Sequence, residues 1–386
     1  MDIHDSPSQR TVAEIDLSHA VIIKLKPLQT ISDPHVMSCL CQGNDTKTGL
    51  LYNNIILLLL DIFFYSNMKL TSPSGLCGNI CTLEGVLSIR GYFMSTKDFK
   101  TIDEQLEILR SRGLIIDDEN IAKDFLLYNN YYRISGYSLT LRKNNIFSKS
   151  ASFQNIIDIY NFDHELRHLI LQYLEIIEVR MKSIFAYEFT KIHGSTGYLN
   201  AAFFTDKVKH REIISKANQQ KVQRLSHEAY LRHFVNDLQQ DIPLWAYVDL
   251  FTISDISFMY SISEQPIRDA IAHTFGLTMN KGAFILGSYM HSMTIIRNLC
   301  AHGGRLYNRL FEQKPSLNKK EKELLRKNSS GEIDNSHFYG FLLIMKRILP
   351  VDKFHEMKES IMTLNKKYPF VRMDYYGFRD DWQQRL

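Results

Sequence analysis

The stretch that decides the fold is 162–189, which reads FDHELRHLILQYLEIIEVRMKSIFAYEF. Its large apolar residues recur in steps of three and four, and this spacing places them on one face of an α-helix. We therefore predict a long amphipathic helix that begins near residue 153 or 162 and packs that face against a partner. The apolar face consists of Leu166, Ile170, Tyr173, Ile177, Met181 and Ile184. Charged residues lie largely off this face, namely Arg167, Glu175, Glu178 and Lys182, the last two forming an i,i+4 pair.

The sequence on both sides of this stretch also has helical periodicity, so we predict an all-α fold of packed helices for the main body. Further helices are predicted over 121–130, 266–275, 281–302, 337–348 and 351–367. A capping box of Thr101 and Glu104 begins another helix, which Gly113 ends. The polar, basic stretch 205–240 predicts a solvated helical excursion.

Four parts are predicted along the chain. Residues 1–93 form an atypical N-terminal extension, 94–149 an N-terminal helical region, and 150–313 the helical core. Residues 314–386 form a charged linker followed by a C-terminal helical region.

The first 93 residues differ from the rest in charge and in cysteine content. They carry 6 Lys/Arg and 8 Asp/Glu, a net charge of −2, which leaves 40 basic and 34 acidic residues, a net charge of +6, for the remainder. Four of the five cysteines lie there, namely Cys39, Cys41, Cys77 and Cys81, and chance cysteines are a better interpretation than a zinc site. We predict that this segment is poorly ordered and that Met94 is the natural start.

Composition excludes several classes of protein. The N-terminus is acidic and lacks the pattern of a secretory signal, and the longest apolar run, 55–60, is too short to span a membrane. Only Cys300 lies beyond residue 93, which fits a reducing compartment. The sequence therefore predicts a cytoplasmic protein without a membrane segment, and the basic main body suits a polyanionic partner.

The predicted helix 281–302 ends in a polar turn. Its apolar face (Ile285, Tyr289, Met293, Ile296 and Cys300) anchors it in a core, while Arg297, Asn298 and His302 are polar and Gly303 and Gly304 follow as a helix stop. Arg297 and His302 are i,i+5 and lie about 140° apart around the helix. They converge poorly within one chain, but two such helix ends could meet across a two-fold axis.

These residue types suit RNA cleavage without a metal or other cofactor. RNA supplies its own nucleophile, the 2′-hydroxyl, so the protein needs a proton acceptor that titrates near neutrality and a fixed cation beside the phosphorus. His302 and Arg297 fit these two roles, and Asn298 can orient either the imidazole or the phosphate. Downstream, Arg305, Asn308 and Arg309 offer phosphate contacts, and Tyr307 could stack on a base.

The residues singled out here also have simpler, purely structural interpretations. Cations are common at helix C-termini because they favour the negative end of the helix dipole. The tyrosines of 131–137 fit a core better than an RNA platform. The i,i+4 pair His164 and His168 could bind metal with Asp163 or Glu165, but a solvated helix face fits better since no third ligand is identifiable.

Four segments together resemble one family. They are 130–137 (NYYRISGY), 162–167 (FDHELR) with the later Ile177 and Glu178, 297–309 (RNLCAHGGRLYNR) and the ending 377–382 (GFRDDW). In this order they resemble the signatures of the Abi-like abortive-infection proteins of the AbiD/AbiF type, a branch of the HEPN superfamily. The resemblance spans about 97–386, and nothing in 1–93 matches it.

The resemblance implies a HEPN-like helical bundle with an N-terminal helical region and a C-terminal helical extension. It also implies a homodimeric, metal-independent ribonuclease of phage defence, with Arg297 and His302 as catalytic residues and Asn298 as their polar neighbour. It also implies a toxin-like activity held in check until infection, and some relatives are associated with small non-coding RNAs. Many relatives carry a second histidine where this chain has Gly303. The alternatives are a non-catalytic RNA-binding or sensor protein that holds a guide or antitoxin RNA, and an interaction module without RNA contact.

Overall fold

The structure, a computed structural model, describes the backbone of residues 10–16 and 22–28 and all of residues 98–328 and 330–386. The chain divides into two compact units, Met1–Asp98 and Phe99–Leu386. In the first, strands β1 (Arg10–Asp16) and β2 (Ile22–Leu28) pair antiparallel, a hairpin that the sequence analysis did not predict. Three predictions for this segment fall on residues outside the described ranges. They are the start at Met94, the poor order of the segment and the chance occurrence of its four cysteines.

The second unit is helical, which confirms the predicted all-α class. Its two short strands, β3 (Arg142–Lys143) and β4 (Ile146–Phe147), form a small hairpin. The helices are α1 (Ile102–Ser111), α2 (Glu119–Asn129), α3 (Tyr131–Tyr137), α4 (Phe153–His193), α5 (Lys207–Arg224), α6 (Ala229–Arg232), α7 (Leu244–Tyr247), α8 (Ile253–Ile262), α9 (Gln265–Thr274), α10 (Gly282–Ala301), α11 (Lys319–Lys322), α12 (Phe338–Ile348), α13 (Val351–Lys367) and α14 (Trp382–Arg385).

The long helix α4 is the axis on which the others pack. It has 41 residues, or about 60 Å at 1.5 Å per residue, and contacts α7, α8, α9, α10 and α13. Ser152 begins it with a capping box completed by Asn155, which settles the predicted start near 153 rather than 162. The predicted apolar face is buried up to Met181, and Ile184 is half-buried.

Arg167 of α4 is buried, although it lies off the predicted apolar face. The Arg167 side chain is only 2% exposed and pairs with Asp163, which is 0% exposed. Both are buried because α4 has a second covered face, against α3 and the loop that follows α10. A periodicity analysis detects the main apolar face and misses a second face that is polar.

The smaller features agree with the sequence. Glu104 N–H donates to the Thr101 hydroxyl at 3.2 Å and Thr101 N–H donates to the Glu104 carboxylate at 2.7 Å, so the predicted capping box is confirmed. The stretch 205–240 contains α5 and α6, as expected of a helical excursion. Within the described residues, no helix is long and apolar enough to cross a membrane.

Candidate active site and its anchoring network

Helix α10 carries the predicted motif at its C-terminal end. Four of its five predicted apolar residues are buried, and Ile285 is half-buried, so the helix is fixed against its neighbours. His302 is the C-cap, and its N–H donates to the Asn298 carbonyl at 3.0 Å. Gly303 follows with φ +66°, a left-handed conformation that favours glycine and ends the helix as predicted.

Arg297 is held toward α4. Its Nε lies 3.6 Å from Glu178 Oε2, and its Nη1 donates to Asn298 Oδ1 at 3.4 Å. Glu178 also forms the predicted pair with Lys182, at 3.1 Å. Because the Arg297 side chain is still 37% exposed, its guanidinium is oriented by α4 and open to a ligand.

His302 has a different environment. It is exposed, and its imidazole has no hydrogen bond or ion pair with any residue of the described part of the chain. Arg297 and His302 likewise make no hydrogen bond to each other. The structure therefore leaves both side chains accessible at one helix end without joining them into a site within the chain.

The turn after the helix is held by α3. Arg133 Nη2 donates to the Gly303 carbonyl at 2.6 Å, and the same guanidinium lies 5.6 Å from the centroid of the Tyr160 ring. A Cβ atom on Gly303 would lie 3.3 Å from Arg133 Nη2, which is closer than usual. Gly303 thus fits both the backbone conformation and this contact.

A buried carboxylate holds the next residues of the loop. Asp163 accepts hydrogen bonds from the N–H groups of Leu306, at 3.2 Å, and Tyr307, at 2.8 Å. It also accepts from the hydroxyls of Tyr137, at 2.8 Å, and Tyr376, at 3.0 Å. A buried charge is tolerated only when it is paired and hydrogen-bonded, and this one has four donors besides its cation.

The cation is Arg167, whose Nη1 donates to Asp163 and also, at 3.1 Å, to the Tyr137 hydroxyl. Residues from all four family-like segments, or immediately beside them, thus meet around one carboxylate. The sequence analysis named Asp163 only as a possible metal ligand and Arg167 only as a charge off the apolar face, and it did not predict that they pair. The available signal was an i,i+4 acid–base pair whose members directly follow Phe162 and Leu166, both of which are buried.

The predicted RNA contacts divide into exposed and enclosed residues. Arg309 is exposed, with its guanidinium 5.6 Å from the Phe311 ring centroid, and Asn308 is half-buried. Arg305 is half-buried, and its Nη1 donates to the Tyr307 carbonyl at 2.6 Å. Arg305 is thus partly engaged by its own loop, whereas Arg309 can meet a phosphate.

The prediction that Tyr307 stacks on a base needs correction. The residue is 2% exposed, its ring stacks with Tyr137, and its hydroxyl is 2.6 Å from the Thr140 hydroxyl. Tyr375 and Tyr376 cover it edge-on. Stacking on a base requires an exposed ring, and tertiary packing encloses this one.

Other chemically active side chains have ordinary roles. Burial, reinforced by the negative charge of Asp163, raises the pKa of the Cys300 thiol to about 12, so it is a poor nucleophile. His164 and His168 are exposed with ring centroids 4.3 Å apart. In the described ranges no group of three His, Cys, Asp or Glu residues could hold a metal ion.

Comparison with known proteins gives one match. Residues 124–308 match the family model described as Abi-like protein. No curated protein and no solved structure matches the chain. The matched region includes Tyr137, Asp163, Arg167 and the complete Arg297–His302 motif, so it contains most of the anchoring network and the candidate site. Over these residues the chain is similar to the Abi-like proteins, in support of the resemblance found in its sequence.

Proposed function

We propose that this protein acts in abortive infection, in the bacterial cytoplasm, as a metal-independent endoribonuclease of the HEPN type. One observation carries the proposal. At the end of α10, which its buried apolar face anchors, Arg297 is accessible and oriented by Glu178, and His302 is accessible with no partner in the described residues. Fixed, accessible polar side chains on a rigid element are the arrangement expected of catalytic groups.

The proposed chemistry needs only these groups and the RNA. The His302 imidazole takes the proton of a 2′-hydroxyl, whose oxygen attacks the adjacent phosphorus, and the bond from phosphorus to the 5′-oxygen breaks. The leaving oxygen takes up a proton, and the products are a 2′,3′-cyclic phosphate and a 5′-hydroxyl. The Arg297 guanidinium stabilises the charge that develops on the phosphoryl oxygens, and Asn298 keeps that guanidinium oriented.

Purified protein tests this directly. We expect Arg297→Ala and His302→Ala each to lower RNA cleavage by about 100-fold or more, the usual range for loss of such groups. His291→Ala is the matched control, because His291 is exposed on the same helix, and we expect it to cleave normally. Activity should persist in EDTA and leave a cyclic phosphate. Undiminished cleavage in both motif variants would rule out this assignment.

We further propose that the active site is shared between two chains, since Arg297 and His302 diverge by about 140° around one helix. Mixing Arg297→Ala protein with His302→Ala protein then creates mixed dimers in which one site has both groups. Random exchange should restore about a quarter of wild-type cleavage, because half of the dimers are mixed and each has one of two sites. No recovery, with exchange shown by mass spectrometry, would place the site within one chain.

A non-catalytic RNA-binding or sensor protein is the second candidate. The exposed Arg309 and the net charge of +6 beyond residue 93 (40 basic, 34 acidic) favour RNA contact without requiring cleavage. Wild-type protein that binds RNA tightly, leaves it intact and remains toxic in the His302→Ala form would favour this function.

A further inference from the structure

A pocket on the main unit is used by none of the chemistry above. It has a volume of about 560 Å³ and lies between the β3–β4 hairpin and the segment 370–375, with Tyr307 in its wall. That volume is within the roughly 300–1,000 Å³ range of small-molecule sites.

The lining of the pocket is positively charged. Arg142, Lys143 and Arg372 line it, and no acidic residue does. Arg372 is compensated by an ion pair with Asp374. Arg142 donates only to the neutral Ser135 hydroxyl, at 3.0 Å, and Lys143 is exposed and has no partner in the described residues. Two uncompensated cations at a pocket favour an anionic ligand.

The same pocket presents aromatic surface. Phe370 is 42% exposed although it is a large apolar residue, and it lines the pocket beside Tyr375. The Arg372 guanidinium lies 5.0 Å from the centroid of the Tyr375 ring. Exposed aromatic rings next to cations are what a nucleotide requires, because the base stacks on a ring while the phosphate meets the charges.

The cationic wall is held in a defined shape. Asn144 and Asn145 connect the two strands as a two-residue turn with φ of 52° and 64°, a conformation typical of a tight hairpin. The pairing of Lys143 with Ile146 fixes the register. A wall that is already ordered loses little conformational entropy when a ligand binds.

The pocket is also close to the candidate active site. Tyr307 is five residues after His302, so at most about 18 Å of extended backbone separates them. The hydrogen bond between the Tyr307 and Thr140 hydroxyls, 2.6 Å long, joins the loop after α10 to the chain that leads into the hairpin. A strand of RNA at His302 can therefore reach the pocket.

We propose that this pocket binds a nucleotide, with the base on Phe370 and the phosphate near Arg142 and Lys143. We further infer, and this part rests on the proposed function, that the nucleotide belongs to the RNA strand that is cleaved at His302.

Binding to full-length protein that carries His302→Ala separates the pocket from cleavage. Fluorescein-labelled oligouridylate and oligoadenylate serve as probes in anisotropy titrations. In this His302→Ala background, a second substitution, Phe370→Ala or Lys143→Ala, should weaken oligonucleotide binding by about fivefold or more. This is the effect of losing one stacked base or one phosphate contact. Phe284→Ala and Lys207→Ala are matched controls, since both residues are exposed elsewhere, and should stay within about twofold.

Phe370 and Lys143 are exposed, so thermal melting should show that each variant is folded. Unlabelled AMP and UMP, added as competitors, identify the source of the nucleotide: weak competition supports an RNA strand, and competition as strong as that of RNA supports a free nucleotide. Pocket variants that bind as well as the controls would overturn the proposal, even if wild-type protein cleaves RNA. Weakened binding without any cleavage by the wild type would instead support the pocket and refute the ribonuclease.

Discussion

The carboxylate of Asp163 accepts a hydrogen bond of 2.8 Å from the backbone N–H of Tyr307, across 144 residues of chain. Through this contact the middle of α4 fixes the loop that follows the Arg297–His302 helix. Arg133 fixes the first residue of the same loop, at Gly303. The end of α10 is thus positioned from two sides by segments that precede it in sequence.

Replacing Asp163 by Asn should destabilise the protein strongly. The substitution removes the only charge that compensates Arg167 within the described contacts, and breaking a buried pair on one side costs about 3–5 kcal/mol. Asp158→Asn on the same helix is the control, because Asp158 is half-buried and accepts one side-chain hydrogen bond, from Gln154. Urea denaturation followed by circular dichroism measures both, and equal midpoints would contradict the importance of the buried pair.

Replacing Glu178 by Gln should lower RNA cleavage by about tenfold while leaving the fold intact. The neutral amide attracts the Arg297 guanidinium less, so the guanidinium loses its preferred orientation toward α4. Glu175→Gln is the matched control, an exposed residue one turn earlier on α4. The rate of cleavage at saturating RNA is the measurement, and equal rates for the two variants would show that Glu178 does not position Arg297.

Asp334 should contribute stability that acid removes. Burial alone would raise its pKa, but hydrogen bonds from Ser336, together with His337 and Arg326, lower it from 3.8 to about 2. A depressed carboxyl pKa stabilises the fold above about pH 4, and that stability is lost as the pH falls toward 2. Asp334→Asn should therefore cost about 2 kcal/mol at neutral pH.

The difference between Asp334→Asn and wild type should shrink as urea denaturation is repeated at lower pH. Burial also lowers the pKa of His337, so its protonation destabilises the fold over the acidic range too, in the same direction. Asp380→Asn, at an exposed position, should show no such pH-dependent difference. A difference for Asp334→Asn that stays constant between pH 7 and 3 would refute this role.

Replacing Gly303 by histidine should be unfavourable in this chain. Gly303 has φ +66°, and a non-glycine residue in a left-handed conformation costs about 1–2 kcal/mol. Gly303→Asn is the informative control, because asparagine tolerates this conformation better than histidine does. We expect the His variant to melt at a lower temperature than the Asn variant, and the reverse order would contradict the backbone argument.

The sequence predicted the helices well where one apolar face and a clear cap coincide, as in α4 and α10. It also located Arg297 and His302 at a helix end, because glycine and polar residues there end the periodicity. It missed the burial of Arg167 and Tyr307, since their neighbours come from segments distant in the chain and leave no local pattern. The β3–β4 hairpin was missed because two-residue strands are too short to show alternation, although Asn144 and Asn145 are a turn signal.

Tyr376, which donates to Asp163 at 3.0 Å, lies 74 residues after His302 in the chain. A ribosome makes α4, α10 and the Arg297–His302 turn before this last donor emerges. Until residue 376 emerges, the loop after α10 therefore lacks one of its supports, and the network is not closed. For a protein proposed to attack RNA, the order of translation would itself delay full assembly of the site until well after the Arg297–His302 turn has been made.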